Sequence, residues 1–279
     1  MRRLLASSAC FLALLSGCKH PAPVPTEHSR ASLIIEQSAA TPGSKVRVGI
    51  QFVTDSGWHI YWQNPGDSGE APRIQWQLPA GITAGPLEWP TPMRMKTAAG
   101  TDYGYQGTTV LLSSLQIPNT AQSGTLEIGG DLHWLVCHDI CMPQGAHLEV
   151  PLQVANAAKV NDTTQELLQA AAEKIPEALP VNVHPAVTIL PDGFRVTLKL
   201  SEPITAAEFF PADVEQIENG APQEFENRGG TVSLILRKSE YLRQEPQHLR
   251  GVLLLNGGAA YGFDAPIQGA AAQKGKRQK

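Results

Sequence analysis

Cysteine is scarce in this chain of 279 residues: there are four, and only Cys137 and Cys141 lie in its body. A zinc site would need a second ligand pair at regular spacing, and none is present. No apolar run approaches the roughly 20 residues that a membrane-spanning helix requires. Basic patches are missing as well. Lys and Arg total 22 against 26 acidic residues, and the one cluster is the Lys274-Gly-Lys-Arg-Gln-Lys279 tail. Nucleic acid is therefore not an expected partner, and the basic tail over 270–279 reads as a solvated end. The chain also lacks a Gly-x-Ser-x-Gly elbow, a phosphate loop and a His-Glu-x-x-His pair, the signatures of three large enzyme classes. Acidic pairs such as Asp213 and Glu215 read as ordinary surface.

What is present begins with a leader. Arg2 and Arg3 precede a short apolar run, Leu4 to Leu15, and then Leu15-Ser16-Gly17-Cys18. Residues 1–17 read as an export signal. The tetrapeptide resembles the lipobox of bacterial lipoproteins, in which the cysteine is acylated and becomes the mature N-terminus. The expectation is a protein anchored by lipid at Cys18 to a bacterial membrane, facing the periplasm. An ordinary cleaved signal with an incidental cysteine is the alternative. Without Arg2 and Arg3 the chain carries 20 basic and 26 acidic residues, a net charge of −6. The Pro-rich segment 18–30 reads as a tether.

The remainder alternates with period two. Val46, Val48, Ile50 and Phe52 form one such set, and Leu148, Val150, Leu152 and Val154 another. Phe194, Val196, Leu198 and Leu200 follow, then Val232, Leu234 and Leu236. Strands of that pattern put one face on a core and one in water. The predicted fold is all-β, with two β-sandwich domains over 31–158 and 181–269. A helical connector over 159–180 joins them: Asn161 caps a helix from Asp162 to about Ile175, with Lys174 in its last turn, and Pro176 and Pro180 end it. Pro191-Asp-Gly193 and Asn256-Gly-Gly258 mark turns. All five tryptophans fall in the first domain, where an aromatic core is the plain explanation. Two Gly-rich stretches there, Asn64–Gly69 and Thr97–Gly107, read as long loops of the kind that carry function. The second domain, without Cys or Trp, reads as a scaffold or docking module.

Cys137 and Cys141 sit in Trp134-Leu-Val-Cys-His-Asp-Ile-Cys-Met-Pro143. In an oxidising compartment a close pair serves as a disulfide, for structure or for redox work. As a staple it is poor, since a five-residue loop restricts the unfolded chain by only about 2 kcal/mol. A small ring also opens and closes with little else moving, which favours redox use. His133 and His138 favour the reactive thiolate when protonated, whereas Asp139 opposes it. A strand-and-turn setting provides no helix N-terminus to activate the pair, so a modest exchanger is expected. The competing reading is a binding protein whose pair is a static disulfide or part of a Cu(I) site. Cys137, His138, Cys141 and Met142, with Met93 and Met95, are soft ligands of that type.

Four segments in order carry a family resemblance: Gly57-Trp-His-Ile-Tyr-Trp-Gln-Asn-Pro-Gly-Asp-Ser-Gly69, Leu87-Glu-Trp-Pro90, Tyr103-Gly-Tyr-Gln-Gly107 and the cysteine segment. Together, over about residues 45–155, they resemble the N-terminal periplasmic domain of the thiol:disulfide interchange protein DsbD, in its ScsB-like branch. The second domain, through Phe209-Phe-Pro-Ala212 and Ile217-Glu-Asn-Gly-Ala-Pro222, resembles that branch more loosely. The resemblance implies immunoglobulin-like sandwiches and a redox pair in a hairpin at one end. It also implies that Cys141 forms the mixed disulfide with a partner and that Cys137 resolves it. A capping loop shields the pair in this family, and Tyr103 and Tyr105 are the candidates for it here. No cofactor is implied. Because this chain has no membrane-embedded or thioredoxin-like domain, the partners implied are a membrane electron-transfer protein or thioredoxin-like donor on a separate chain, and oxidised periplasmic clients.

Overall fold

The computed structural model describes residues 24–269. The expected signal peptide, Cys18, the start of the expected tether and the basic tail lie outside the described residues.

The first domain opens with β1 (Val24–Thr26), β2 (Ser29–Ile35), β3 (Gln37–Ala40) and β4 (Lys45–Thr54). It continues through β5 (His59–Gly66), β6 (Arg73–Gln77), β7 (Thr83–Ala84), β8 (Met93–Thr97) and β9 (Gly100–Gln106). The last strands are β10 (Thr108–Gln116), β11 (Gly124–Cys137), β12 (Cys141–Val154) and β13 (Lys159–Val160). One sheet runs β1-β2-β4-β10-β7. The other runs β13-β3-β12-β11-β5-β9-β8, with β6 on β11. The two alternating sets anticipated in this domain supply its core, since Val46, Val48, Ile50 and Phe52 and Leu148 to Val154 by twos are all buried. Part of the expected tether is drawn in: β1 pairs with the start of β2, with His28 in the left-handed conformation at the turn. Pro25 is tolerated there because β1 is an edge strand.

The helix α1 (Asp162–Ala172) begins where Asn161 was expected to start it, but ends before Lys174. It is more than a spacer. Leu168 and Ala171 pack on Ile34, Val110 and Leu112, the outward face of the first sheet. Gly49 permits that approach, because a Cβ there would stand 2.8 Å from Leu168.

After α1 come β14 (Glu177–Ala178), β15 (Ala186–Ile189), β16 (Gly193–Lys199), β17 (Ala207–Pro211) and β18 (Glu224–Arg228). The last three are β19 (Thr231–Arg237), β20 (His248–Leu255) and β21 (Ala259–Gln268). Their order is β17-β20-β21-β15-β16-β19-β18. Strand β21 pairs with β20 up to Pro266 and with β15 at Ile267 and Gln268, passing from one layer of this second sandwich to the other. Phe194, Val196, Leu198, Val232, Leu234 and Leu236 fill its core, while Leu200 packs only at the margin. The architecture is therefore two immunoglobulin-like sandwiches. They are fused rather than strung, because Phe210 and Val252 of the second join the core of the first.

Candidate redox site

The longest hairpin in the molecule carries the site. Strands β11 and β12 pair over fourteen residues each, and their last cross-strand pair is Cys137 with Cys141. His138, Asp139 and Ile140 close the turn. The Cα atoms stand 4.2 Å apart and the sulfurs are joined at 2.08 Å. That spacing suits a non-hydrogen-bonded antiparallel pair, where side chains approach most closely. The two sulfurs are not equivalent. Cys137 is 1% exposed, whereas Cys141 is open to solvent. Ile140 beside it is 65% exposed.

Strand β5 supplies the floor. His59 lies opposite Cys137 in register, and Tyr61, two residues on, shares its face. The Tyr61 hydroxyl is 3.4 Å from Cys141 Sγ and 3.4 Å from Ser68 Oγ. Ser68 donates its hydroxyl to Asp102 Oδ2 at 2.8 Å and its backbone N–H to Oδ1 at 2.9 Å. Asp102 is buried, and these bonds satisfy its carboxylate. With its one hydrogen given to Asp102, Ser68 Oγ can only accept, so the Tyr61 hydrogen is shared between Ser68 and the sulfur. Burial pushes the Tyr61 phenol above its usual value, and the nearby Asp102 carboxylate raises it further. Tyr61 therefore stays a donor at neutral pH. Once the disulfide opens, a Cys141 thiolate is the stronger acceptor and draws that hydrogen.

The segment Asn64–Gly69 straps this arrangement down. Gly69 lies against the Tyr61 ring so closely that a Cβ would stand 2.1 Å from it. On the other side of the hairpin tip, Trp58 stacks on His28 at 3.9 Å and leans toward His138 at 5.8 Å between ring centres.

Several expected site residues fall elsewhere. Tyr103 and Tyr105 do not cap the disulfide. They are buried in β9, where the Tyr103 hydroxyl donates to Asn219 and that of Tyr105 to the Pro90 carbonyl. Burial is the main force raising both phenols well above their usual value. The stretch read as a long loop from Thr97 is instead the turn and second strand of the β8–β9 hairpin, and it is Asp102 from that stretch that reaches the site. His133 is exposed on β11 four residues before Cys137, roughly 13 Å along an extended strand. His138 and Asp139 sit at the tip and pair with each other at 3.0 Å. Of the methionines of the copper reading, Met142 follows Cys141 on β12, opposite Val136. Met93 and Met95 are not brought to the sulfurs: they lie on β8, three strand spacings, or roughly 14 Å, from β11. Among the described residues no group of three or more His, Cys, Asp or Glu is arranged to hold a metal ion. Tyr61, Ser68, Asp102 and His59 went unnoticed in the sequence, although His59, Tyr61 and Ser68 lie inside the first resemblance segment.

Residues 30–153 match the family model described as thiol:disulfide interchange protein DsbD, N-terminal. The chain carries a DsbD N-terminal-like domain. The N-terminal periplasmic domain of ScsB from Proteus mirabilis is similar in fold across both sandwiches. Its TM-score is 0.67 at 15% identity, covering 87% of this chain and 94% of that one. The yeast GGA1 GAE domain matches at TM-score 0.26 and 10% identity, over 46% of this chain and 95% of its own. A Porphyromonas gingivalis W83 protein of unknown function matches at TM-score 0.28 and 9% identity, over 86% and 100%. Likenesses that weak carry no argument. No curated protein matches the chain. Among the described residues no helix is long and apolar enough to cross a membrane.

Proposed function

We propose that this protein is a periplasmic thiol–disulfide exchanger that relays electrons through Cys137 and Cys141 to oxidised envelope proteins, held to a bacterial membrane by a lipid on Cys18. The observation that carries the proposal is a disulfide at a hairpin tip that joins an exposed cysteine to a buried one, inside a DsbD N-terminal-like domain. In the reduced protein the Cys141 thiolate attacks one sulfur of a client disulfide. The client S–S bond breaks, its second sulfur leaves as a thiolate and takes a proton, and a Cys141–client mixed disulfide forms. The Cys137 thiolate then attacks Cys141 Sγ, releasing the client as a dithiol and regenerating the Cys137–Cys141 bond. Two electrons and two protons pass to the client. A dithiol donor on a separate chain, either a membrane electron-transfer protein or a thioredoxin-like protein, returns them. The exposure difference supports Cys141 as attacker and Cys137 as resolver, and the apolar Ile140 gives a partner something to bury beside the reacting sulfur.

Trapping tests the reading. A Cys137→Ser variant expressed in the envelope is expected to accumulate mixed disulfides with envelope proteins through Cys141, and Cys141→Ser is not. Adducts with Cys141→Ser alone reverse the two roles. Adducts with neither variant contradict the exchange function and leave a static disulfide.

A further inference from the structure

The segment that straps Tyr61 is gripped from behind by the second domain. Asn64, itself buried, donates to the backbone carbonyls of Pro211 at 2.8 Å and Asp213 at 3.3 Å. Three residues on, Asp67 Oδ1 accepts from Asn219 Nδ2 at 2.7 Å, while its Oδ2 accepts the Thr101 N–H at 2.6 Å. Asn219 is anchored in turn: its side-chain oxygen accepts from the Tyr103 hydroxyl at 3.1 Å, and its backbone carbonyl from Arg94 at 3.1 Å. Arg94 also pairs with Glu208 at 3.0 Å, and Phe210 packs edge-on against Tyr103. Ser68, the residue after Asp67, is the one that fixes the Tyr61 hydroxyl against Cys141 Sγ. An unbroken line of contacts therefore runs Asn219–Asp67–Ser68–Tyr61–Cys141, crossing from one domain to the other.

We infer that Asn219 is a positioning residue for the redox pair: by holding Asp67 it keeps Ser68 and the Tyr61 hydroxyl on Cys141, so that docking of the second domain sets the reactivity of the exposed sulfur. This deepens the exchange reading and rests on it. The second sandwich is then a working part of the site, and a partner that loosened it would change how readily Cys141 reacts. Two asparagines suit the joint, since each offers both a donor and an acceptor and so meets a neutral backbone and a carboxylate without burying a second charge.

The test reads the rate at which iodoacetamide alkylates Cys141 at pH 7.5, in the mature chain carrying Cys137→Ser, followed on the Cys141 peptide by mass spectrometry. Loss of the Tyr61 donor in Tyr61→Phe is expected to slow alkylation about three- to tenfold. Asn219→Ala is expected to slow it about threefold. Combined with Tyr61→Phe, it should add nothing, because both changes cut one line of contacts. Asn219→Asp sets two carboxylates face to face and should slow the reaction. Exchanging both partners, Asp67→Asn with Asn219→Asp, rebuilds the bond with its polarity reversed and should restore the rate. This exchange keeps the test decisive if Asn219→Ala fails to fold. An unchanged rate in Asn219→Asp, additive effects of Asn219→Ala and Tyr61→Phe, or no restoration by the exchange would overturn the inference. No client takes part in this measurement, so failure here leaves the trapping result standing, and failure of trapping leaves this coupling standing.

Discussion

The Tyr61 hydroxyl stands 3.4 Å from Sγ of Cys141, the exposed cysteine of the disulfide. It is the polar side chain placed to meet a thiolate when the bond opens, and burial keeps it protonated. Tyr61→Phe keeps the ring under Gly69 and removes only the donor. Beyond slowing alkylation, it is expected to slow re-formation of the disulfide from the reduced form by a small disulfide oxidant, by several-fold. Stopped-flow mixing of reduced protein with oxidised glutathione checks this, and an unchanged rate would remove Tyr61 from the chemistry.

His59 lies opposite Cys137 of the same disulfide, and among the described residues its Nε2 has no hydrogen-bond partner. Burial lowers its pKa below 6.5, with Asp102 pulling upward and His138 pushing down. The unfolded chain therefore takes up a proton near 6.5 that the folded chain accepts only at lower pH. Stability is complete above about pH 7 and falls as pH drops through 6.5. Urea unfolding between pH 7.5 and 5.5 should show that decline, and His59→Phe should flatten it. A decline of equal slope in His59→Phe would place its origin elsewhere.

Opening the disulfide is expected to leave the sandwich intact. The closed loop is so short that its removal costs only about 2 kcal/mol in the chain-entropy model. The Cys137→Ser/Cys141→Ser variant should keep the strand content of the parent by circular dichroism and lose about that much unfolding free energy. Collapse of the fold would mark the bond as structural.

The helix α1 offers a check on domain architecture. Leu168 is fully buried against Ile34, Val110 and Leu112, so Leu168→Ala is expected to cost about 2–5 kcal/mol in denaturant unfolding. A loss below about 0.5 kcal/mol would show that the helix is a free spacer, as surface substitutions usually are.

Much of this was legible in advance, for reasons that differ by element. Val46 to Phe52 and Phe194 to Leu198 reach cores because half-buried strands impose period two on the sequence itself. The hairpin tip was legible through the family resemblance that Trp134–Pro143 carries, because two cysteines four apart fit one face of a helix as well as a tight turn. The redox floor was not: Tyr61 and Ser68, Asp102, and Cys141 come from three places in the chain, and no local pattern ties the three together. Gly-rich spacing around Tyr103 suggested a loop, but Gly100 and Gly104 serve the β8–β9 hairpin, where Gly104 lets β5 pass close by. Alternation along β9 then turns Asp102 toward Ser68 and Tyr103 toward the second domain. Asn219 falls inside the Ile217–Pro222 resemblance segment, but its role was not legible there, since it depends on how two domains meet.

The measurement closest to the central claim is a redox titration of Cys137 and Cys141 by thiol trapping in glutathione or dithiothreitol buffers. The account predicts a two-electron midpoint between about −300 and −120 mV, within reach of exchange partners. A midpoint well below about −300 mV would mark a permanently closed structural bridge and contradict it.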